Sequence, residues 1–404
     1  MHSTNWIFSE EASVNLQLAE ELQESGQFPL AAVKKLRKNL PMGRVQQILD
    51  LSRLRGHAVA KFSKASRMYF TQTQLEQSTS EAIANYKAQR FTGMGRVADL
   101  CCGIGGDAIG LAQVADLQIV DSYDLVLEMA RRNVKAYGKT VDSTLGKAET
   151  FDVGSVDAFH LDPDRRTLSE SEVEIRTIQP DSFSPDLENI RKLESLNPNF
   201  GIKIAPGSTP WSGEYEIEFI SHQRECKQQI LWSGALAKSP GVTVTNLDNL
   251  GQTSESFHRS KDEIEGPADF FVSANPVAKF IYDPKPSLRV SPLLADFARS
   301  YGLHLVDRHS RYLSSDQSVD SQLLTGFEVL DLLKPDRNLV LRYLRERNAH
   351  TPEIRKRDKK DEAYRKLRTI RLKGENLFTI ILSGTTEGYR AIMCKRLSIP
   401  NPVG

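Results

Sequence analysis

Residues 97–112 read VADLCCGIGGDAIGLA. An apolar run carries Asp99 near its end, two cysteines follow, and Gly103, Gly105 and Gly106 crowd the turn before an apolar helical pattern resumes. Strand, glycine turn and helix in that order open a doubly wound α/β sheet, so the spacing of the turn decides what it can hold. A phosphate-binding P-loop needs Gly-Lys-Ser/Thr after its four-residue spacer, and no lysine is present. Gly103, Gly105 and Ala108 satisfy the dinucleotide spacing G-x-G-x-x-G/A, with an acid 16 to 18 residues beyond. The acid in front discriminates between the readings. Asp99 lies four residues ahead of Gly103, giving D-x-x-x-G-x-G-G.

The surrounding chain bounds the possibilities. It has 404 residues, 39% apolar and 26% charged, with a formal net charge of +1. Those values describe a globular protein of two or three domains. No apolar run approaches the length of a membrane span, and no cleavable signal opens the chain, so a cytoplasmic protein without membrane partners is expected. The four cysteines (Cys101, Cys102, Cys226, Cys394) form neither a zinc pattern nor a disulfide framework, and no metal is expected. From Arg337 to Lys373, 14 Lys/Arg stand against five Asp/Glu, which concentrates positive charge near the C-terminus.

Residues 1–90 read as an N-terminal helical region, including EEASVNLQLAEELQ and PLAAVKKLRKNL, with Pro29 suited to a first turn. The stretch TQLEQSTSEAIANYKAQRF predicts one helix with a Thr73–Glu76 capping box. Met68, Tyr69 and Phe70 ahead of it are expected to pack against the next domain. From residue 91 to 262 short apolar strands alternate with amphipathic helices, which predicts a parallel sheet with an antiparallel edge. Residues 263–404 read as a third region of mixed α+β character.

The D-x-x-x-G-x-G-G turn resembles motif I of class I S-adenosylmethionine-dependent methyltransferases. Asp121, closing LQIVD, is placed to accept two ribose hydroxyls, with Asp124 as the nearby alternative. An A-R-x-N helix follows it, and Glu149 stands where such enzymes contact adenine. FHLDPDRRT closes the fourth strand with Asp162 and Pro163. Enzymes that methylate amines carry D/N-P-P-aromatic there, whereas here Asp164, Arg165 and Arg166 follow, which suits a phosphate or carboxylate better than a stacked base.

Taken together, KASRMYFTQTQLEQSTSEAIANYKAQRF, DLCCGIGGDA, DPDRRT, IKIAPG, FIYDPKPSLRVS and FEVLDLL resemble a bacterial family. Its members are class I methyltransferases with a C-terminal THUMP-like domain. The resemblance implies a Rossmann-like catalytic sheet with an N-terminal helical region and a C-terminal α+β THUMP-like domain. It also implies S-adenosyl-L-methionine as cofactor and nominates Asp99, Cys101, Gly103, Gly105, Asp121, Glu149 and Asp162 to hold it. For the reaction it nominates Asp162, Arg165 and Arg166, with Lys203 as a helper; an ion-paired loop anchor is the competing reading of the two arginines, and a structural role that of Lys203. Cys101 and Cys102 read as small buried residues of the turn, not as nucleophiles.

A THUMP-like module implies structured RNA as the partner and RNA modification as the role. The basic segment fits, with Arg355, Lys356, Arg357, Lys359 and Lys360 as phosphate contacts and Tyr343 and Tyr364 for stacking. A methyltransferase of a protein or small molecule, a non-catalytic S-adenosylmethionine-binding module and a nicotinamide-dependent dehydrogenase are the competing functions. Oligomeric state is not legible.

Overall fold

The computed structural model describes residues 6–164, 166–168, 174–176, 183–204, 214–223, 225–265, 276–357 and 362–397. The chain divides into two compact units. Unit 1 comprises Met1–Gly213, Ile230–Lys238 and Leu250–Gln252; unit 2 comprises Glu214–Gln229, Ser239–Asn249 and Thr253–Gly404.

Unit 1 begins with helices α1 (Glu10–Glu24), α2 (Leu30–Leu36) and α3 (Met42–Ala58). Ser9 caps α1 by accepting from the Ala12 amide, and Ala12, Leu16 and Ala19 recur on its buried face at helical spacing. The single helix expected from Thr73 to Phe91 is instead three pieces. They are α4 (Gln72–Gln77), α5 (Glu81–Ala88) and a 3₁₀ turn over Gln89–Phe91. Thr71, not Thr73, caps α4, accepting from the Gln74 amide at 3.2 Å. The run Ser78-Thr79-Ser80 breaks the helix, because short hydroxyl side chains compete for backbone partners; Ser78 donates to the Leu75 carbonyl. Met68 and Phe70 are buried, and Tyr69 is held by hydrogen bonds described below.

The sheet of unit 1 follows, as β1 (Arg96–Leu100), α6 (Ala108–Leu111), β2 (Asp116–Asp121), α7 (Asp124–Ala136), β3 (Asp142–Leu145) and β4 (Ala158–Leu161). A short antiparallel pair, β5 (Arg166–Leu168) and β6 (Glu174–Arg176), precedes α8 (Leu187–Leu196) and β7 (Phe200–Ile204). The main strands run parallel in the order β7-β4-β1-β2-β3. Order reverses at β1, so a crevice opens at the carboxyl ends of β1 and β4, where ligands bind in open α/β sheets. β1 after Arg96, β4 and β7 are buried throughout, each carrying one ionisable residue (Asp99, His160 and Lys203) in an otherwise apolar run. Trp232 stands over Gly201, where a Cβ would come within 2.5 Å of the indole ring.

Unit 2 contains β8 (Glu216–His222), most of β9 (Glu225–Trp232), β10 (Gly241–Leu247) and β11 (Thr253–Arg259). β10 runs parallel to β8 and antiparallel to β11, so the expected antiparallel edge contains a parallel pair. Then come β12 (Phe280–Pro284), α9 (Pro286–Val290), α10 (Leu294–Ser300), β13 (His304–Leu305) and β14 (Leu313–Ser315). The remainder is β15 (Leu324–Leu333), α11 (Arg337–Glu346), β16 (Glu353–Lys356), α12 (Glu362–Leu367), β17 (Thr379–Thr385) and β18 (Gly388–Arg396). Seven of these strands form a sheet ordered β13-β14-β12-β15-β18-β17-β16.

That second sheet is curled. β12 and β16 lie four strands apart, which in a flat sheet is about 19 Å at roughly 4.8 Å per strand. Yet Arg355 of β16 reaches Asp283 of β12 at 2.8 Å, and Arg357 pairs with the other oxygen of the same carboxylate. The residues expected to meet phosphates are thus engaged within the fold: Arg355 also binds Glu353, and Lys356 stands over the ring of Tyr364. Tyr343, expected to stack on a base, is buried in the cluster formed by Val340, Leu344, Phe378 and Ile380. Lys359 and Lys360 lie outside the described residues. Replacing Asp283 by alanine strands two guanidinium groups, and we expect a loss of about 2–3 kcal/mol in denaturant unfolding, since the group is mostly buried. An unchanged midpoint would show that the curl does not depend on this pair.

Candidate active site

The glycine turn folds as its sequence requires. Cys101, Gly103 and Gly105 all take left-handed backbone angles, with φ of 57°, 54° and 79°. Glycine adopts that region freely, whereas the non-glycine Cys101 is held in it at a cost. The constraint comes from both sides. The Cys102 amide bonds the Val120 carbonyl of β2, and a Cβ at Gly106 would strike the Thr79 backbone at 2.9 Å.

The strand-end acids then converge on this turn. Asp121 is 8% exposed and accepts the Gly103 amide on one oxygen and the Tyr123 amide on the other, both at 3.0 Å. Its two oxygens are therefore not free, as the sequence reading had them. Burial raises its pKa, with backbone hydrogen bonds from Tyr123, Gly103 and Ser122 opposing. Asp124 is exposed in the first turn of α7, so Asp121 is the acid tied to the turn. Asp121, Asp162, Asp99 and Glu149 all lie near enough to Cys101 for their charges to act on its thiol. Glu149 is in a one-turn 3₁₀ segment, with Lys147 at 3.9 Å.

Behind the turn runs a chain of buried polar groups. Asp99, 1% exposed, bonds the Nδ1 of His160 at 2.8 Å. The Nε2 of His160 lies 3.1 Å from Nζ of Lys87, which pairs with Asp107 at 2.6 Å. Asp107 accepts the Thr79 hydroxyl at 2.7 Å, and Thr79 lies 3.5 Å from Nζ of Lys203. Lys203 pairs with Asp162 at 2.5 Å. Burial pushes the Lys87 ammonium down, and Asp107 offsets part of that. Burial alone would raise Asp107, but Lys87 above all, with Lys203, outweighs it and holds the carboxylate ionised. The second oxygen of Asp99 is buried without a hydrogen-bond partner.

Lys203 is thus not a solitary cation on an apolar strand but the counter-ion of Asp162, whose own side chain is 28% exposed. Such a pair can orient a polar group of a substrate and take up a proton. Arg165 lies outside the described residues, and of Arg166 only its place at the start of β5 is described.

Sequence reasoning missed Thr79, Lys87, Asp107, His160 and Asn133. Asn133 donates to the carbonyls of Ile104 and Tyr69 and accepts the Tyr69 amide, tying the glycine turn to the N-terminal helical segment. The signal was a polar residue set among apolar neighbours: His160 within AFHL, Lys87 on the buried face of EAIANYKA. Neither position has a partner in sequence, so only the fold reveals what each one faces.

No protein-family profile matches the chain. Two relatives, both Mycobacterium tuberculosis proteins named as uncharacterized S-adenosylmethionine-dependent methyltransferases, are each 28% identical over 371 residues, covering 87% of this chain and 97% of theirs. The fold is similar to that of a crystallised Porphyromonas gingivalis W83 protein provisionally named a methyltransferase. There the TM-score is 0.70 at 17% identity, over 89% of this chain and 92% of that one. The Rossmann-like α/β architecture of the methyltransferases is therefore the fold of this chain.

Cysteine chemistry separates from this site. Burial and then the surrounding carboxylates push the Cys101 thiol well above its usual range, Cys102 likewise, and burial raises Cys226 to about 12. A raised thiol pKa leaves little thiolate at pH 8, so native protein should be alkylated far more slowly than unfolded protein. By the same sign, stability should decline as pH rises past the unfolded thiol value of ~8.5. Rapid labelling of Cys101 at pH 8 would restore it as a nucleophile.

Proposed function

We propose that this chain is an S-adenosyl-L-methionine-dependent methyltransferase of the kind that carries a THUMP-like module, acting on structured RNA. The observation that carries the cofactor reading is the glycine turn held between Asp99 and Asp121. The donor set suits the molecule. The unpartnered oxygen of Asp99 is a buried acceptor that calls for a cationic or N–H donor, as an amino-acid ammonium supplies. Asp121 retains acceptor capacity for a ribose hydroxyl, and the left-handed turn brings backbone close without a Cβ at Gly103 or Gly105. Glu149 completes the set on the adenine side.

When bound, the cofactor supplies an electrophilic methyl group on a sulfonium. The residues of the chain then have little acid or base work to do, and most of the effect comes from alignment. Asp162 orients an exocyclic amine and passes its proton to water after transfer, while Lys203 fixes the carboxylate in place. Arg165 and Arg166 complete the acceptor side as anion-binding groups in this reading.

The RNA reading is supported by the basic composition of residues 337–373, where 14 Lys/Arg stand against five Asp/Glu. Tritium transfer from labelled cofactor to fractionated cellular RNA, protein and small molecules tests the proposal. Label in RNA supports it, label in another pool redirects it to a different substrate, and no label in any pool leaves a binding module.

Two variants examine the parts. Asp121→Ala should weaken S-adenosylhomocysteine binding in calorimetry by about 1–3 kcal/mol, the order for leaving buried hydroxyls unpaired; equal affinity would remove Asp121 from the ribose. Asp162→Ala should abolish turnover yet keep that affinity, and retained turnover would take it out of the reaction.

A further inference from the structure

Lys87 comes from α5, outside the sheet, yet its ammonium is buried between His160 of β4 and Asp107. A buried ion pair contributes little net stability, and an apolar triad of the same volume would serve the core as well. What the arrangement does supply is direction. An ammonium has three donors and no acceptor, and Asp107, held ionised, can only accept. The Nε2 of His160, 3.1 Å from Lys87, must then accept, so its proton resides on Nδ1. From Nδ1 it is donated to the first oxygen of Asp99, 2.8 Å away. The second oxygen is left buried, unpartnered and available. On the other side Asp107 takes the Thr79 proton, which turns the lone pairs of that hydroxyl toward Lys203 at 3.5 Å, and Lys203 holds Asp162. Each link is oriented by the one before it, and Lys87 is the only member that touches both branches.

We propose that Lys87 is a positioning residue for both halves of the site: it fixes His160 in the Nδ1–H tautomer, so that Asp99 presents one bare oxygen to a cationic ligand group, and through Asp107 and Thr79 it orients the Lys203–Asp162 pair. This rests on the methyltransferase reading for the identity of the cationic group, and not for the tautomer. Asp99 and Asp121 hold the ligand directly; Lys87 acts through others.

The test reads the tautomer itself. In full-length protein labelled with ¹⁵N-histidine, the His160 ring signals are assigned by their loss in His160→Gln. Wild-type protein is expected to show protonated Nδ1 and bare Nε2. Lys87→Met should move that equilibrium toward Nε2–H, and Lys87→Arg should restore it. In calorimetry Lys87→Met should lose about tenfold or more in S-adenosylhomocysteine affinity, the order found when a group that orients a ligand is removed, with Lys87→Arg recovering most of it. An Nε2–H or doubly protonated ring in wild-type protein overturns the proposal, whether or not any variant folds. A folded Lys87→Met protein with unchanged tautomer and affinity overturns it equally. Wild-type protein that has the expected tautomer but binds no S-adenosylhomocysteine would sink the cofactor assignment while upholding the relay.

Discussion

Five ionisable side chains of unit 1, Lys87, Asp99, Asp107, His160 and Lys203, are each less than a tenth exposed. All but His160 carry a charge, and taking each charge out of water costs several kcal/mol, which only closely matched partners offset. Every member has a charged or hydrogen-bonding neighbour, while one oxygen of Asp99 is left without a hydrogen-bond partner. Four separate elements supply the members: α5, the end of β1, β4 and β7, with Asp107 leading into α6. The positions of these elements are therefore tied together by electrostatics as well as by packing. Loss of one charge would leave its partners unsatisfied in a region that water does not reach.

The strained turn sits on that foundation. Cys101 occupies a backbone region that side chains rarely adopt, and such residues persist where their surroundings dictate the geometry. Asp121 dictates it from one side by gripping the Gly103 amide, and Asn133 from the other by holding the Ile104 carbonyl. The N-terminal helical segment is part of this apparatus, since Tyr69, Gln74, Thr79 and Lys87 all approach the turn or its supports. Unit 2 shows the same economy of means, with one carboxylate, Asp283, joining two strands that sheet order alone would keep far apart.

Much of the first sheet was legible in the sequence because burial on both faces writes itself as apolar runs: RVADL, LQIVD, AFHL and FGIKI are each strands. The nominated acids fall at or just beyond strand ends for the same reason, as the first polar residues beyond those runs can reach solvent or ligand. β3, with its polar DSTL, carries no such signal. The break in the helix after Gln77 was hidden because three hydroxyl residues lower helix propensity only modestly, and tertiary contacts of Thr79 decide the outcome. Lys87 and His160 were illegible since a buried charge makes sense only beside its partner, 73 residues away. The basic segment misled in the opposite direction. Cations clustered in sequence read as a solvent-facing stripe, whereas Arg355 and Arg357 turn inward to a carboxylate more than 70 residues earlier.

The interleaved course of the chain has a bearing on its biosynthesis and ancestry. Unit 1 is not finished when its sheet has been translated, for Trp232, which stands over Gly201, reaches it only after the chain has begun unit 2. As the ribosome delivers residues in order, the earlier half must wait with an open flank until the later half is under way. No single cut in the gene would separate the two bodies whole, so neither could have been swapped by one recombination as a self-contained cassette.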